Sequence, residues 1–185
     1  TPLYSSAASD VYKRQTPIDH ELVMRDDDFI VSKTDLKGHI TYANKVFIEF
    51  SGFDEVEFMG KQHNVIRHPD MPRGVFKLLW GHIENRKEIF AYVKNICKDG
   101  SYYWVLANVT PSLDDHGNVV GYYSVRRKPN PKAIQYIKGL YTDMLHIEAQ
   151  AGAKNAVEAS VTHLNTILSE KGMSYEQFIL HLQAA

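Results

Sequence analysis

One cysteine in 185 residues, no excess of charge of either sign and no long apolar run are the first things this sequence shows. Cys97 alone can close no internal disulfide and no cysteine-based zinc site, which excludes a disulfide scaffold and fits a reducing cytoplasm. The 21 basic and 22 acidic residues nearly cancel, so nucleic-acid binding has no surplus of positive charge behind it and is not expected. The longest unbroken apolar run, Tyr102–Ala107, falls far short of the roughly 18 residues a spanning helix needs, so no direct membrane insertion is expected. GxSxG, Walker and GxGxxG fingerprints are missing, as are paired carboxylates and histidines at metal-binding spacing, so neither catalysis nor a metal site is expected. What remains is ordinary: 44% apolar, 23% charged and 11% aromatic residues, the balance of a globular protein with a sizeable core.

The chain starts without Met, and Asp10-Val11-Tyr12-Lys13-Arg14-Gln15 spells one reading frame of a transposon-end sequencing adapter. Thr1–Gln15 is therefore expected to be an assembly artefact or a disordered arm, with residues 16–25 a lead-in.

From Phe29 the pattern is strand-like. Phe29–Thr34 and His39–Tyr42 flank the turn Asp35-Leu36-Lys37-Gly38, a hairpin signal. Short helical segments follow: Asn44–Phe50 ending at Gly52, then Asp54–Glu57 with capping-box spacing, then a helix after Pro72 carrying Val75, Phe76, Leu79 and Ile83 on one face. Ile89–Lys98, Tyr102–Val109 (running on to Leu113) and Val119–Arg127 form a meander through turns at Asp99-Gly100 and Asp115–Asn118. The expected class is α+β: a five-stranded antiparallel sheet covered by short helices over residues 26–128, followed by a C-terminal helical extension over 129–185. In that extension one apolar stripe runs from Ile134 to Leu145 and another from Val157 to Leu168. Ser174 and Gln177 then cap a last short helix.

The most informative stretch is Gly60–Pro72, reading GKQHNVIRHPDMP. Lys61, His63, Arg67 and His68 gather four potentially cationic side chains within eight residues, ahead of a helix bearing Trp80. Such a run can hold an anionic group such as a pyrophosphate, and the aromatics Trp80, Phe90, Tyr92, Tyr103 and Trp104 can stack on a planar ring.

These residues carry a resemblance. Two strands, helices and three strands, with Tyr42-Ala43-Asn44 after the second strand and Asp99–Trp104 opening the fourth, resemble a PAS domain. The run Gly60–Pro72 with Trp80 beyond it is similar to the flavin-binding PAS domain of Aer-type energy-taxis (aerotaxis) receptors. The resemblance covers about 100 residues and implies a PAS fold with FAD as cofactor. By position it implies contacts from Arg67, His68 and Asp70 in the loop, Trp80 on the helix and Asn95 on the third strand. Asn44, Tyr103, Asn108 and Tyr122 are further candidates. Arg67 and His68 would face phosphates or order the loop, Trp80 would pack on a ring, and Asn95 offers both donor and acceptor to a polar ring edge. The sequence departs from the family at Ile89-Phe90-Ala91-Tyr92, where the pattern is Trp-small-Gly, and bulk there is expected to narrow the pocket. In light-sensing LOV domains the reactive cysteine sits at the position held here by His63, so thiol–flavin photochemistry is not expected and Cys97 reads as a small strand residue.

A chain with no spanning segment resembles the CetB-like soluble half of bipartite energy-taxis receptors. This implies a cytoplasmic redox sensor, placed at the inner membrane by a partner: a membrane-bound methyl-accepting-type signalling protein or another transducer. A PAS homodimer is also expected as an option. Two alternatives stand beside it: a haem-binding PAS gas sensor with His63, His68 or His82 as axial ligand, and a ligand-free PAS interaction module.

Overall fold

The computed structural model describes residues 15–185. The expectation for Thr1–Gln15 thus falls outside the described residues except at Gln15, which is buried. The strands are β1 (Ile30–Thr34), β2 (Ile40–Ala43), β3 (Ile89–Ile96), β4 (Tyr102–Leu113) and β5 (Val119–Arg127). The α-helices are α1 (Lys45–Ser51), α2 (Glu55–Phe58), α3 (Arg73–Glu84), α4 (Pro131–Lys171) and α5 (Tyr175–Ala184), with a 3-10 turn at His63–Ile66. The sheet is antiparallel throughout, in the order β2-β1-β5-β4-β3.

Register decides which side chains share a face, because successive strand residues alternate. The pairs Ser32–Ser124, Val109–Ser124, Ala107–Arg126 and Asn95–Tyr103 put Ser32, Asn95, Tyr103, Ala107, Val109, Ser124 and Arg126 on the inner face. Tyr92, Lys94, Trp104 and Asn108 then belong to the outer face. Of the bulk expected to narrow the pocket, Phe90 and Tyr92 are therefore directed elsewhere, while Ile89 faces inward and packs with Ile83 and Tyr122 at the cavity wall. Tyr92 is wholly buried on the outer face, with its hydroxyl donating to Gln183 Oε1 at 3.1 Å.

Both edges of the sheet are closed by one segment. Lys61 O accepts from Ile40 N at 2.9 Å and Gly38 O accepts from His63 N at 2.9 Å, along β2. The chain then crosses through the 3-10 turn and lies along β3, with an Arg67–Asn95 bridge and His68 N donating to Lys94 O at 3.3 Å. The run read from sequence as a phosphate-holding loop is thus a strap that satisfies two otherwise open strand edges. The lead-in plays the same part for the start of β4. Leu22 N donates to Tyr102 O at 2.7 Å, beyond Leu106, where pairing with β5 ends.

The C-terminal helices cover the outer face of β3 and β4 and share its core. α4 breaks at Gly152 (φ 73°, ψ 164°), between the two apolar stripes, and its buried side chains Ile137, Met144, Leu164 and Leu168 join the same cluster as Tyr92 and Trp104. Tyr141 donates its hydroxyl to Tyr92 O at 2.7 Å and lies 6.1 Å from the Trp104 ring. Each such large side chain removed from water contributes roughly 1.5–3 kcal/mol, which fixes the extension against the sheet. No helix among the described residues is long and apolar enough to cross a membrane.

Candidate functional site

A cavity of about 140 Å³ lies between the inner face and α3. α3 presents Phe76, Leu79, Trp80 and Ile83 to it, at the three-to-four-residue spacing that puts side chains on one helical face. Val93, Ala107, Val109 and Tyr122 form the apolar part of the sheet wall, and Trp80 meets Tyr122 edge-on at 5.5 Å. The strap closes one side with Gln62, His63, Asn64 and Arg67.

The polar groups of this cavity are underused by the protein. Asn95 is 3% exposed and its Nδ2 lies beside the Tyr103 hydroxyl without a hydrogen bond of normal geometry among the described residues; Asn64 Oδ1 and Arg126 Nε and Nη1 have no partner there either. A buried donor or acceptor left unmade costs about 1–3 kcal/mol, so such a set is maintained only where something else satisfies it. Arg126 is the extreme case. Alternation in β5 turns it inward, where its Nη2 donates to Ser32 Oγ and its guanidinium lies 4.5 Å from the Phe47 ring. No carboxylate pairs with it among the described residues. Burial lowers its pKa to about 10, which leaves it cationic at neutral pH.

His63 completes a chain of bonds from that cation. Its Nε2 lies 3.1 Å from Ser32 Oγ. Ser32 Oγ accepts from Arg126 and its own hydrogen can be donated to His63 Nε2, the arrangement that goes with the ring proton on Nδ1. Burial and then the Arg126 charge push His63 down to about 3, so the ring is neutral. It lies nearly parallel to Phe47 at 5.8 Å.

Of the nine residues singled out from sequence, the structure brings Arg67, Trp80, Asn95 and Tyr122 to the cavity. Arg67 stacks on Phe76 at 3.9 Å and donates to Met71 O at 3.2 Å, so it orders the strap while facing the cavity. Five lie elsewhere. His68 is buried against Tyr102 on the outer side of β3, and Asp70 pairs with Lys94 at 2.7 Å there. Asn108 also faces outward, donating to Glu88 at 2.9 Å. Tyr103 is on the inner face but sits outside the cavity lining, edge-on to Phe50 at 5.4 Å. Asn44 is consumed as the cap of α1: its Oδ1 accepts from Val31 N and Phe47 N, and its Nδ2 donates to Phe29 O at 2.7 Å.

The haem candidates separate in the same way. His63 lines the cavity with its Nε2 engaged, His68 is on the far side of β3, and His82 is held by Leu78 O at 2.8 Å outside the lining. Cys97 also lies outside it, bonded to Phe50 O at 3.0 Å and pushed up to about 11 by burial. Sequence reading missed Arg126, Ser32 and Asn64. The available signal was parity, since Tyr122, Ser124 and Arg126 alternate along β5.

Residues 40–126 match the family described as PAS fold. The chain is 37% identical over 118 residues to the aerotaxis receptor of Escherichia coli (strain K12), covering 64% of this chain and 23% of that protein. It is 26% identical over 97 residues to the nitrogen fixation regulatory protein of Klebsiella pneumoniae, covering 52% of this chain and 20% of that protein. The chain thus spans between a fifth and a quarter of the length of these relatives. Among solved structures, the light-state LOV domain of the blue-light photoreceptor Aureochrome1 superposes with a TM-score of 0.51 at 18% identity, over 77% of this chain and all of that one. A light-oxygen-voltage domain studied with a flavin analogue superposes with a TM-score of 0.52 at 20% identity, over 78% of this chain and 97% of that one. Sheet order and matched residues agree: residues 40–126 match the PAS fold, and the chain has a PAS-type fold.

Proposed function

We propose that this chain is a non-enzymatic redox sensor that holds FAD in the cavity and signals to a chemotaxis-type transducer at the inner face of a membrane. The observation that carries the reading is the set of unpartnered polar atoms, Asn64 Oδ1, Asn95 Nδ2 and Arg126 Nε and Nη1, set among apolar walls. The edge of a flat heterocycle offers donors and acceptors that match such a set in kind, and Trp80 lies in the wall beside them. When bound, flavin supplies a reversible redox couple whose ring gains protons and charge on reduction. The chain's own contribution is to discriminate those states. Arg126 is a fixed positive charge in a desolvated wall, which favours negative charge beside it. Asn95 carries a donor and an acceptor on one amide, so a half-turn of its side chain exchanges them. His63, neutral and already hydrogen-bonded, adds no second charge.

The similarity to an aerotaxis receptor supports a transducer as partner. The test is the absorbance spectrum of the purified full chain with extraction of any chromophore. Twin bands in the blue and near-ultraviolet that release FAD are expected. A Soret band or a colourless protein that takes up no added FAD overturns the reading, in favour of the haem sensor or the ligand-free module respectively.

A further inference from the structure

Helix α3, which supplies one wall of the cavity, starts without a cap of its own. Its N-cap residue is Pro72, whose side chain can accept nothing. The first amides of a helix need partners, and a carboxylate there also meets the positive end of the helix dipole. At α3 that carboxylate comes from far along the chain. Glu148 on α4 accepts from Gly74 N at 3.0 Å, and Glu148 is 7% exposed.

A second observation falls at the same point. Gly74 has no side chain where α4 crosses: a Cβ there would sit 2.6 Å from Ser160 Oγ, 3.0 Å from Ser160 Cβ and 3.3 Å from Met144 Cε. Ser160 and Met144 are wholly buried, one on each arm of α4 around Gly152. Both arms of the hairpin therefore seat on the N-terminus of α3, and Glu148 is the polar bond at that seat. From Gly74 the helix runs without a break through Phe76 and Trp80, both in the cavity wall. A 12-residue helix transmits displacement between its ends as a rigid body.

We propose that Glu148 is a positioning residue that couples the C-terminal hairpin to the cavity by capping α3 across the fold. Occupancy of the cavity and seating of the hairpin then bias each other through one helix, and the coupling is reciprocal. This rests on the sensor reading for its purpose, as the route by which the cavity reaches the hairpin, but the link itself exists in the ligand-free chain.

The experiment is residue-resolved amide hydrogen exchange by NMR on the full ligand-free chain, comparing wild type with Glu148→Ala and Glu148→Gln. Glu148→Ala is expected to speed exchange at Gly74, Val75 and Phe76 about tenfold, the loss of one charge-assisted hydrogen bond. It is also expected to move the Trp80 indole resonance, while β1, β4 and β5 amides stay within about twofold. Glu148→Gln keeps an acceptor oxygen and restores part of the protection. Unchanged exchange at Gly74 overturns the proposal, as does uniform acceleration across sheet and helix, or a Trp80 resonance that does not move. FAD titration of the same proteins separates the two readings. If α3 loosens as expected but no variant, wild type included, binds FAD, the coupling stands and the flavin reading falls. If wild type and Glu148→Ala bind FAD equally tightly, the coupling falls and the flavin reading stands.

Discussion

Arg67 and His68 are adjacent in the chain and face opposite sides of the edge strand β3, the first stacked on Phe76 in the cavity wall and the second against Tyr102 on the outer side. The cause is the backbone. Arg67 is extended (φ −73°, ψ 121°), and where extended chain pairs with a strand its side chains alternate. A cationic run that looks like one ligand-binding patch is thereby split between a cavity and a structural cluster, with different consequences for pH, stability and ligand.

The structural half predicts a specific acid response. Burial and the nearby Lys94 charge lower His68 to about 4, against a smaller opposing effect of Asp70, and burial lowers His63 to about 3. Both folded-state values lie below the ordinary 6.5, so below pH 6.5 the unfolded chain binds protons that the folded chain does not. Stability is then fully present above about pH 6.5 and is lost as pH falls toward 4, at about 1.4 kcal/mol per pH unit for each histidine. The carboxylates of Asp28, Glu57, Asp99 and Asp114 are also lowered from their ordinary values, so they titrate below most of this window. Urea unfolding between pH 7 and 4.5 should give a slope near two protons, falling to about one in His68→Gln. An unchanged slope in that variant contradicts the assignment.

Strand parity makes a paired prediction about two asparagines. Asn95 faces the cavity and Asn108 faces outward toward Glu88. Asn95→Ala should weaken FAD binding at least tenfold, the loss of one buried hydrogen bond to a ligand, whereas Asn108→Ala should leave it within about twofold. Fluorescence titration with FAD measures both. Equal losses in the two variants would mean that the register places the wrong face inward.

Much of this arrangement was legible because local chemistry dictates it. Gly38, Gly100 and Gly117 adopt the positive φ that the hairpin turns need, Gly52 and Gly172 end their helices, and Ser174 with Gln177 forms the capping box read from sequence. Long-range pairing was not legible. That β1 inserts between β2 and β5 depends on contacts across some 90 residues, which no local pattern records. The site suffered for the same reason. Arg126 stands next to Arg127 and Lys128 in the sequence, and it is the pairing with Ala107 that shows it is turned inward and buried. Asn44 is a cofactor candidate by resemblance, yet it is the N-cap of α1 and a partner to β1. The extension looked separable because its stripes are amphipathic. It is integral because Tyr92 and Trp104 leave an apolar outer face that needs cover.

Gly100 tests the seating of the lead-in. It has φ 94°, and a Cβ there would collide with the Thr16 carbonyl oxygen. Gly100→Ala should destabilise the chain by about 1–3 kcal/mol and expose the Ile18 and Leu22 amides, which donate to Gly100 O and Tyr102 O. Hydrogen exchange confined to those amides would show the lead-in displaced. Unchanged protection there would mean that the turn accommodates the methyl group, and the close approach would carry no weight.

Arg126 should show opposite effects on stability and on binding. In the ligand-free chain it is a desolvated charge whose guanidinium has, among the described residues, one hydrogen bond, to Ser32, supplemented by the Phe47 ring. Arg126→Met replaces it with an apolar side chain that leaves no charge to desolvate. Exchanging a buried ionic group for a packed apolar one is often neutral or stabilising by roughly 1–4 kcal/mol. The melting temperature of the ligand-free variant is therefore expected to rise by several degrees. The same change removes the fixed charge and two unpartnered donors from the cavity wall, so affinity for FAD should fall at least tenfold. Thermal unfolding with and without saturating FAD measures both effects on one instrument: the variant should start higher and gain less. A ligand-free variant that melts well below wild type would show that Arg126 serves the fold. Undiminished FAD affinity would remove it from the binding site.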